Sequence, residues 1–263
     1  MKLQTKIDIP QLPLNIKPTD KLLFVGSCFA AEMACRFESN CFNVTVNPYG
    51  TMYNPASVLH TVQKINAYAD VAVITLGTNH VYILKETGEI VDNCNKRPSC
   101  LFEEKELIVR ECADYLCLVI STLKQSNPSC KVVFTVSPIR YQKYGFHESR
   151  LSKATLLLAA DEVTRMEKDT FYFPSYEIMD DELRDYRFYK PDMLHPSEQA
   201  VDYIYECFCK SCLSKEAFLF MEEWQPIRQA LSHRPFNPDG DEYKQFLAKT
   251  KQREEAFRRK WRL

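Results

Sequence analysis

KLLFVGSCFAAEM, residues 21–33, predicts a buried strand, a tight turn and the start of a helix, in that order. Apolar residues run from Leu22 to Val25 and stop at Gly-Ser-Cys, after which Ala30–Ala34 favour a helix. Such a turn places a nucleophile at the carboxyl edge of a parallel sheet. The Cys28 thiol would lie at the positive end of a helix dipole, which favours the thiolate. The alternative is an ordinary turn, because turns of this kind need small residues anyway.

Length and composition indicate an ordinary globular protein. The 263 residues suffice for one large domain or two small ones, and a hydrophobic fraction of 45% excludes a disordered chain. A net charge of -1 gives no electrostatic reason to expect nucleic acid. We see neither a membrane span nor a signal peptide after Met1, and therefore expect a cytoplasmic location. The eleven cysteines should then be reduced, most of them as small core residues.

Strand and helix patterns alternate along the rest of the chain. This alternation predicts an α/β fold, namely a three-layer α/β/α sandwich with a five-strand parallel sheet in the order 2-1-3-4-5. A hairpin at about 81–91 should lie outside that sheet. The predicted strands are 22–25, 42–46, 71–76, 132–136 and 170–173, and the predicted helices are about 29–39, 56–68, 103–124, 152–168 and 197–213.

The two ends of the chain differ from the middle. Residues 1–20 contain three prolines and predict an extended arm, residues 21–213 form the α/β domain, and residues 214–263 form a helical extension. The extension reads as two helices, about 215–232 and 241–261. An apolar stripe on the second favours docking on the domain, and its basic faces leave a partner or an anionic surface as the alternative. The stripe consists of Tyr243, Phe246, Leu247, Phe257 and Trp261.

Four loops at the carboxyl edge of the predicted sheet carry the residues of an acyl-transfer site. The Asp-x-x-His spacing lets Asp192 hold one ring nitrogen of His195, which would act as the base. The backbone N–H groups of Cys28 and Gly50 and the side-chain amide of Asn79 are expected to converge on an oxyanion.

This order of motifs resembles the SGNH (GDSL) hydrolase superfamily, whose blocks read Gly-Asp-Ser, Gly, Gly-x-Asn and Asp-x-x-His. The string GSCFA at residues 26–30 is similar to the GSCFA-domain family, as are NPYG at 47–50, SPIR at 137–140, SKA at 152–154 and RDYRFY at 184–189. The resemblance implies an SGNH/flavodoxin-like fold. It also implies an esterase or acyltransferase that acts on acyl esters, such as acetyl groups on a carbohydrate, through a covalent acyl-enzyme. The alternative is a catalytically silent module that binds a glycan or a nucleotide-linked sugar.

The chain departs from the family pattern at two places. Cys28 stands where the hydrolases have their serine nucleophile, and Ser27 beside it remains the other candidate nucleophile. Gly-Thr-Asn-His stands at 77–80 where many GSCFA proteins read Gly-Thr-Ala-Trp, so His80 either contacts substrate or replaces the tryptophan in packing.

Arginine side chains are the candidates for further contacts with the substrate. Arg140 is expected to bind a carboxylate or phosphate of the substrate, whereas Arg184 and Arg187 favour a structural salt-bridge network. We expect no metal and no cofactor, and the sequence leaves the oligomeric state open.

Overall fold

The computed structural model describes residues 5–65, 68–94, 97–236 and 240–263. Parts of three predicted segments lie outside these residues, namely parts of the arm 1–20, the helix 56–68 and the extension 214–263. The strands are β1 Lys21–Gly26, β2 Asn43–Val46, β3 Val71–Leu76, β4 His80–Leu84, β5 Ile90–Val91, β6 Phe102–Glu106, β7 Lys131–Val136 and β8 Thr170–Tyr172. The helices are α1 Cys28–Ser39, α2 Pro55–Ile65, α3 Val109–Ser126, α4 Phe146–Met166, the single turn α5 Ser175–Glu177, α6 Glu198–Cys212, α7 Lys215–Leu231 and α8 Asp241–Trp261.

The central sheet has five parallel strands in the order β2-β1-β3-β7-β8, so the predicted order is confirmed. Alternate residues of each strand face opposite sides of the sheet. Phe24 packs in the core beneath α1 and α6, and its neighbour Val25 packs in the core beneath α2, α3 and α4. Helices therefore cover both faces, and the carboxyl ends of β1, β3 and β7 meet at one edge.

The predicted hairpin is part of a second sheet. β4 pairs antiparallel with β5 and also with β6, which gives a three-strand sheet in the order β5-β4-β6. The predicted helix 103–124 is therefore wrong in its first turns, because Phe102–Glu106 is a strand and α3 begins at Val109. Tertiary pairing with β4 overrides the helical preference of Glu-Glu-Lys-Glu. A carboxylate oxygen of Glu111 accepts the N–H of Ile108 at 3.0 Å and caps the true start of α3.

The arm and the extension both pack on the α1 face of the sheet. Ile16 is fully buried, and its N–H donates to the carbonyl of Cys212 at the end of α6. Trp224 of α7 donates its indole N–H to the Ser39 carbonyl at 2.8 Å, which fastens α7 to the end of α1. Phe257 of α8 packs against Trp224 and Phe220 with the rings tilted by 38° and the centroids about 5 Å apart in each case.

Phe257→Ala is expected to lower the free energy of unfolding by about 3 kcal/mol, the usual cost of removing a buried phenylalanine ring. Phe257 is 5% exposed and contacts the rings of Phe220 and Trp224 of α7. Phe246 lies on the same helix but is 38% exposed, so Phe246→Ala should cost under about 1 kcal/mol. Urea unfolding of both variants measures the difference, and equal losses would show that α8 is not fastened through Phe257.

Candidate active site

The turn after β1 is fixed by a glycine. Gly26 has φ +143°, and a Cβ at this position would lie 2.1 Å from the Thr75 carbonyl oxygen on the neighbouring strand β3. The N–H of Ser27 donates to that same oxygen at 3.1 Å. Ser27 is only 1% exposed, and its hydroxyl has no hydrogen-bond partner among the described residues. Cys28 follows this tight turn as the first residue of α1, and its side chain is half-buried.

The pKa of the Cys28 thiol is shifted upward, which the sequence did not indicate. Burial raises the pKa of its thiol, and this cost outweighs the backbone N–H groups of Cys28 and Phe29 at the helix start, which lower it. The Glu32 carboxylate, one turn further along α1, raises the pKa as well, and the Lys153 ammonium lowers it. The helix N-terminus does favour the thiolate, as expected, but burial outweighs it and the net shift of the Cys28 pKa is upward.

The Asp192–His195 loop has a defined geometry. One oxygen of Asp192 lies 2.6 Å from His195 Nδ1, and the other accepts the backbone N–H groups of Leu194 and His195 at 2.9 and 3.0 Å. These donors lower the pKa of Asp192 to about 2, so the carboxylate stays ionised. Because Nδ1 is held by Asp192, Nε2 remains the nitrogen able to exchange a proton with a nucleophile or substrate. The His195 side chain is 41% exposed.

Contacts on both sides hold this loop in place. The Lys190 ammonium joins the loop to α1, because its Nζ lies 2.9 Å from a carboxylate oxygen of Glu32. The backbone N–H of Lys190 donates to the His195 carbonyl at 2.7 Å. Arg140 donates its backbone N–H to the Leu194 carbonyl and its guanidinium to the Met193 carbonyl, at 3.0 and 3.1 Å. The loop therefore lies beside the N-terminal half of α1. No hydrogen bond joins Cys28 to His195 in the part of the chain that the structure describes, so their pairing stays a prediction.

Two of the expected oxyanion donors are engaged elsewhere. The Gly50 N–H closes a turn onto the Asn47 carbonyl at 2.8 Å, and Gly50 itself is exposed. The Asn79 amide donates to the Leu107 carbonyl at 2.8 Å, although its oxygen is buried without a partner among the described residues. Gly50 does not fit the role in this conformation. Asn79 retains one amide N–H, and the Cys28 N–H at the start of α1 has no acceptor in the helix.

The two residues proposed to bind substrate have structural contacts of their own. His80 is buried on β4 and stacks on Tyr144 with ring centroids 3.9 Å apart, and burial lowers its pKa. Arg140 supports the His195 loop and lies over the ring of Phe146 at 4.2 Å. The geometry thus favours packing for His80 and positioning for Arg140. Arg187 lies 3.8 Å from Asp185, a weak exposed pair rather than a network.

Sequence reasoning missed the importance of Lys153. Its Nζ is buried at the carboxyl edge of the sheet and donates to the carbonyls of Gly77 and Ser137 at 2.7 and 2.9 Å. The signal was available: Lys153, Leu156, Ala160 and Val163 follow the spacing of the buried face of α4. A lysine on that face, with no acidic residue beside it in sequence, indicates a buried amine.

The cysteines are more exposed than predicted. All eleven are free thiols, and five of them are buried, namely Cys112, Cys130, Cys207, Cys209 and Cys212. Cys35 and Cys100 are exposed. Cys35 faces outward because it lies on the polar side of α1, which the apolar composition of Ala30–Ala34 did not indicate. Among the described residues, no group of three or more His, Cys, Asp or Glu side chains is arranged to hold a metal ion.

Comparison with known families identifies the chain. The GSCFA family matches residues 21–68 and 58–208, which together cover more than half of the sequence. The chain belongs to the GSCFA family. The C-terminal domain of GSCFA domain proteins matches residues 224–262, which include α8. No protein of curated function matches the sequence.

Solved structures similar to this GSCFA protein share its fold at low sequence identity. A candidate GDSL-like lipase from Parabacteroides merdae is 13% identical and has a TM-score of 0.51, with 76% of this chain and 98% of that chain covered. A family 3 carbohydrate esterase from Clostridium thermocellum is also 13% identical, at a TM-score of 0.44, with 82% of this chain and 100% of that chain covered. The likeness to the lipase candidate shows that the two chains share a fold, in agreement with the fold that the resemblance implies.

No helix within the described ranges combines the length and the apolar character that a membrane span requires.

Proposed function

We propose that this protein is an esterase or acyltransferase that acts on acyl esters, with acetyl esters of carbohydrate as the first class to test. Cys28 attacks the ester carbonyl, the acyl group moves to sulfur, and the alcohol leaves. Water or a second alcohol then takes the acyl group from sulfur, which gives hydrolysis or transfer. His195 Nε2 moves the proton in both steps, and Asp192 holds the ring.

One observation carries the proposal: the hydrogen-bonded Asp192–His195 pair lies on a loop tied to α1, the helix that begins at Cys28. Cys28 fits the nucleophile's position better than Ser27, because Cys28 is half-buried and Ser27 is 1% exposed. The fold does not by itself assign an activity. It supports the proposal because SGNH hydrolases carry their active site at this edge of the sheet.

A second candidate function is favoured by the oxyanion donors. Because the Gly50 N–H and one Asn79 N–H are engaged with backbone carbonyls, the site has fewer free oxyanion donors than the sequence predicts. A silent module that binds a glycan or a nucleotide-linked sugar would not need them. The two candidates differ in whether a covalent acyl group forms.

The test is acyl trapping. The protein is mixed with p-nitrophenyl acetate, quenched in acid and examined by intact mass and peptide mapping. We expect one acetyl group on the peptide that contains Cys28, retained in Ser27→Ala. We also expect p-nitrophenol release to fall by about 10³-fold or more in Cys28→Ala, as for other nucleophile deletions. Cys35→Ala, which removes an exposed thiol of the same helix, is the matched control and should change neither result.

Other outcomes would redirect the proposal. An acetyl group on Ser27 would move the nucleophile by one residue. Absence of any adduct, together with unchanged release of p-nitrophenol in Cys28→Ala, would contradict the acyl-enzyme and favour the binding module.

A further inference from the structure

We propose that a cleft beside the His195 loop binds a carboxylate or phosphate group of the ester. The cleft has a volume of about 200 Å³, and Arg140, Arg184, Tyr186 and Tyr189 are among the residues that line it. We call it the arginine cleft. The inference rests on the proposed function and deepens it by naming a substrate class. Since an acetyl group carries no charge, the anionic group belongs to the alcohol part of the ester.

Arg140 joins the arginine cleft to the His195 loop. Its backbone N–H donates to the Leu194 carbonyl at 3.0 Å, and its guanidinium donates to the Met193 carbonyl at 3.1 Å. A guanidinium has five N–H donors, and the bond to Met193 occupies one of them. The other four find no acceptor within the described ranges. Arg140 is therefore able to hold the loop and to bind an anion close to His195 at the same time.

Aromatic rings surround the guanidinium of Arg140. Its central carbon lies 4.2 Å from the ring centroid of Phe146, 5.4 Å from that of Tyr189 and 6.0 Å from that of Tyr186. A guanidinium that packs on aromatic faces keeps the N–H groups of its edge for an anion, because all of them lie in its plane. Tyr186 is 68% exposed, so its ring also offers an apolar face to the part of the substrate that carries the anion.

Arg184 contributes a second guanidinium to the arginine cleft. Its backbone N–H donates to the Met179 carbonyl at 3.1 Å, but its side chain has no hydrogen bond and no ion pair to any residue that the structure describes. The salt-bridge network that the sequence favours for Arg184 is therefore not formed among those residues. An arginine without a carboxylate partner keeps its planar set of donors, which matches a carboxylate or a phosphate through two parallel hydrogen bonds.

The carboxylates of the arginine cleft are already engaged. The two oxygens of Asp180 accept N–H groups of Arg150 at 3.0 and 3.1 Å. Asp185 accepts the backbone N–H of Arg187 at 2.9 Å. Three arginines and two aspartates line the cleft, so its net charge is positive and favours an anion.

The first experiment measures the binding of benzoate, phenyl phosphate and neutral benzyl alcohol to the full-length protein by isothermal titration calorimetry. We expect at least one of the two anions to bind about tenfold more tightly than benzyl alcohol, because hydrogen bonds to charged groups are the stronger ones. Tighter binding of benzoate would identify a carboxylate site, and tighter binding of phenyl phosphate a phosphate site. Equal binding of all three probes, or no binding of either anion, would overturn the inference.

Arg184→Gln should weaken the binding of the anionic probe by about tenfold, the effect of one charge-assisted hydrogen bond. Binding of benzyl alcohol should not change. Because the Arg184 side chain has no partner in the described part of the chain, the variant should keep the fold, which thermal unfolding checks.

Arg187→Gln is the matched control. Arg187 lies in the same loop and the variant loses the same charge, but Arg187 is exposed and is not among the residues that line the arginine cleft. At a salt concentration of about 0.15 M, where charges are screened beyond roughly 8 Å, this variant should bind the anionic probe within about twofold of wild type. Equal losses in both variants would mean that the probe responds to the net charge of the protein, and would overturn the inference.

The second experiment compares the hydrolysis of 4-acetoxybenzoate with that of its neutral methyl ester. The ratio of the two kcat/KM values should fall by about tenfold in Arg184→Gln, through KM rather than kcat, because Arg184 would bind substrate and transition state equally. Comparing ratios cancels the different intrinsic reactivities of the two esters.

The two experiments separate this inference from the proposed function. Binding of an anionic probe that depends on Arg184, with no turnover of either ester, would retain the arginine cleft and remove the proposed function. Turnover of both esters with an unchanged ratio in Arg184→Gln, and no binding of the probes, would do the reverse.

Discussion

Gly26→Ala is expected to lower the free energy of unfolding by roughly 2–6 kcal/mol, since backbone strain and overpacking each cost about 1–3 kcal/mol. Both apply at Gly26. Its φ of +143° is one that side chains rarely adopt, and the added Cβ would lie 2.1 Å from the Thr75 carbonyl oxygen. That oxygen belongs to β3, the central strand of the sheet, and cannot move without separating β1 from β3. Since whole domains are stable by only about 5–15 kcal/mol, the substitution should remove a large part of the stability of the protein.

Gly88→Ala separates the two causes. Gly88 also has a positive φ, +72°, but a Cβ there meets nothing within 4 Å. It should therefore cost only about 1 kcal/mol, the strain of the backbone alone. Thermal unfolding followed by circular dichroism compares the two variants. Equal losses would mean that the approach of Gly26 to Thr75 does not constrain the turn.

His195→Ala is expected to lower kcat/KM for ester hydrolysis by about 10²–10⁴-fold, the usual contribution of a general base. The reason is that Nε2 of His195 is the group proposed to move the proton, with Nδ1 held by Asp192 at 2.6 Å. Asp192→Asn should lower the rate as well, because it removes the charge that orients the ring. Since the pKa of Asp192 is about 2, its carboxylate stays ionised at any pH above about 4, and loss of activity between pH 5 and 7 would not come from Asp192.

His60→Ala is the control for this prediction. His60 also has a carboxylate partner on Nδ1, Asp92 at 2.6 Å, but it lies on α2 in a cleft shared with β5 and α3. Its replacement should leave kcat/KM within about twofold. If both histidine variants kept full activity, His195 would not be the base.

The central sheet could be predicted because its strands are short, mostly apolar and separated by clear turns. Residues 71–76 are buried throughout, and the parallel order follows from their alternation with helices. The Asp192–His195 hydrogen bond could also be predicted, because three residues of separation place the carboxylate beside the ring. The strand at Phe102–Glu106 could not, since only its pairing with β4 selects it over a helix.

The charge and hydrogen bonding of the site depend on contacts that are distant in sequence. The sequence places Cys28 at a helix start but does not show that burial outweighs the helix dipole and raises its pKa. The sequence identifies Gly50 and Asn79 as candidate donors. It does not show that the carbonyls of Asn47 and Leu107 accept their N–H groups.

Lys153 shows most clearly what the local sequence determines and what only the tertiary structure determines. The periodicity of α4 determined that this lysine faces the core. Only the tertiary structure determined that its amine donates to two backbone carbonyls, because Gly77 and Ser137 are 76 and 16 residues away in sequence. Local spacing fixes which way a side chain faces, and the packing of distant segments decides what it meets and which charge it can carry.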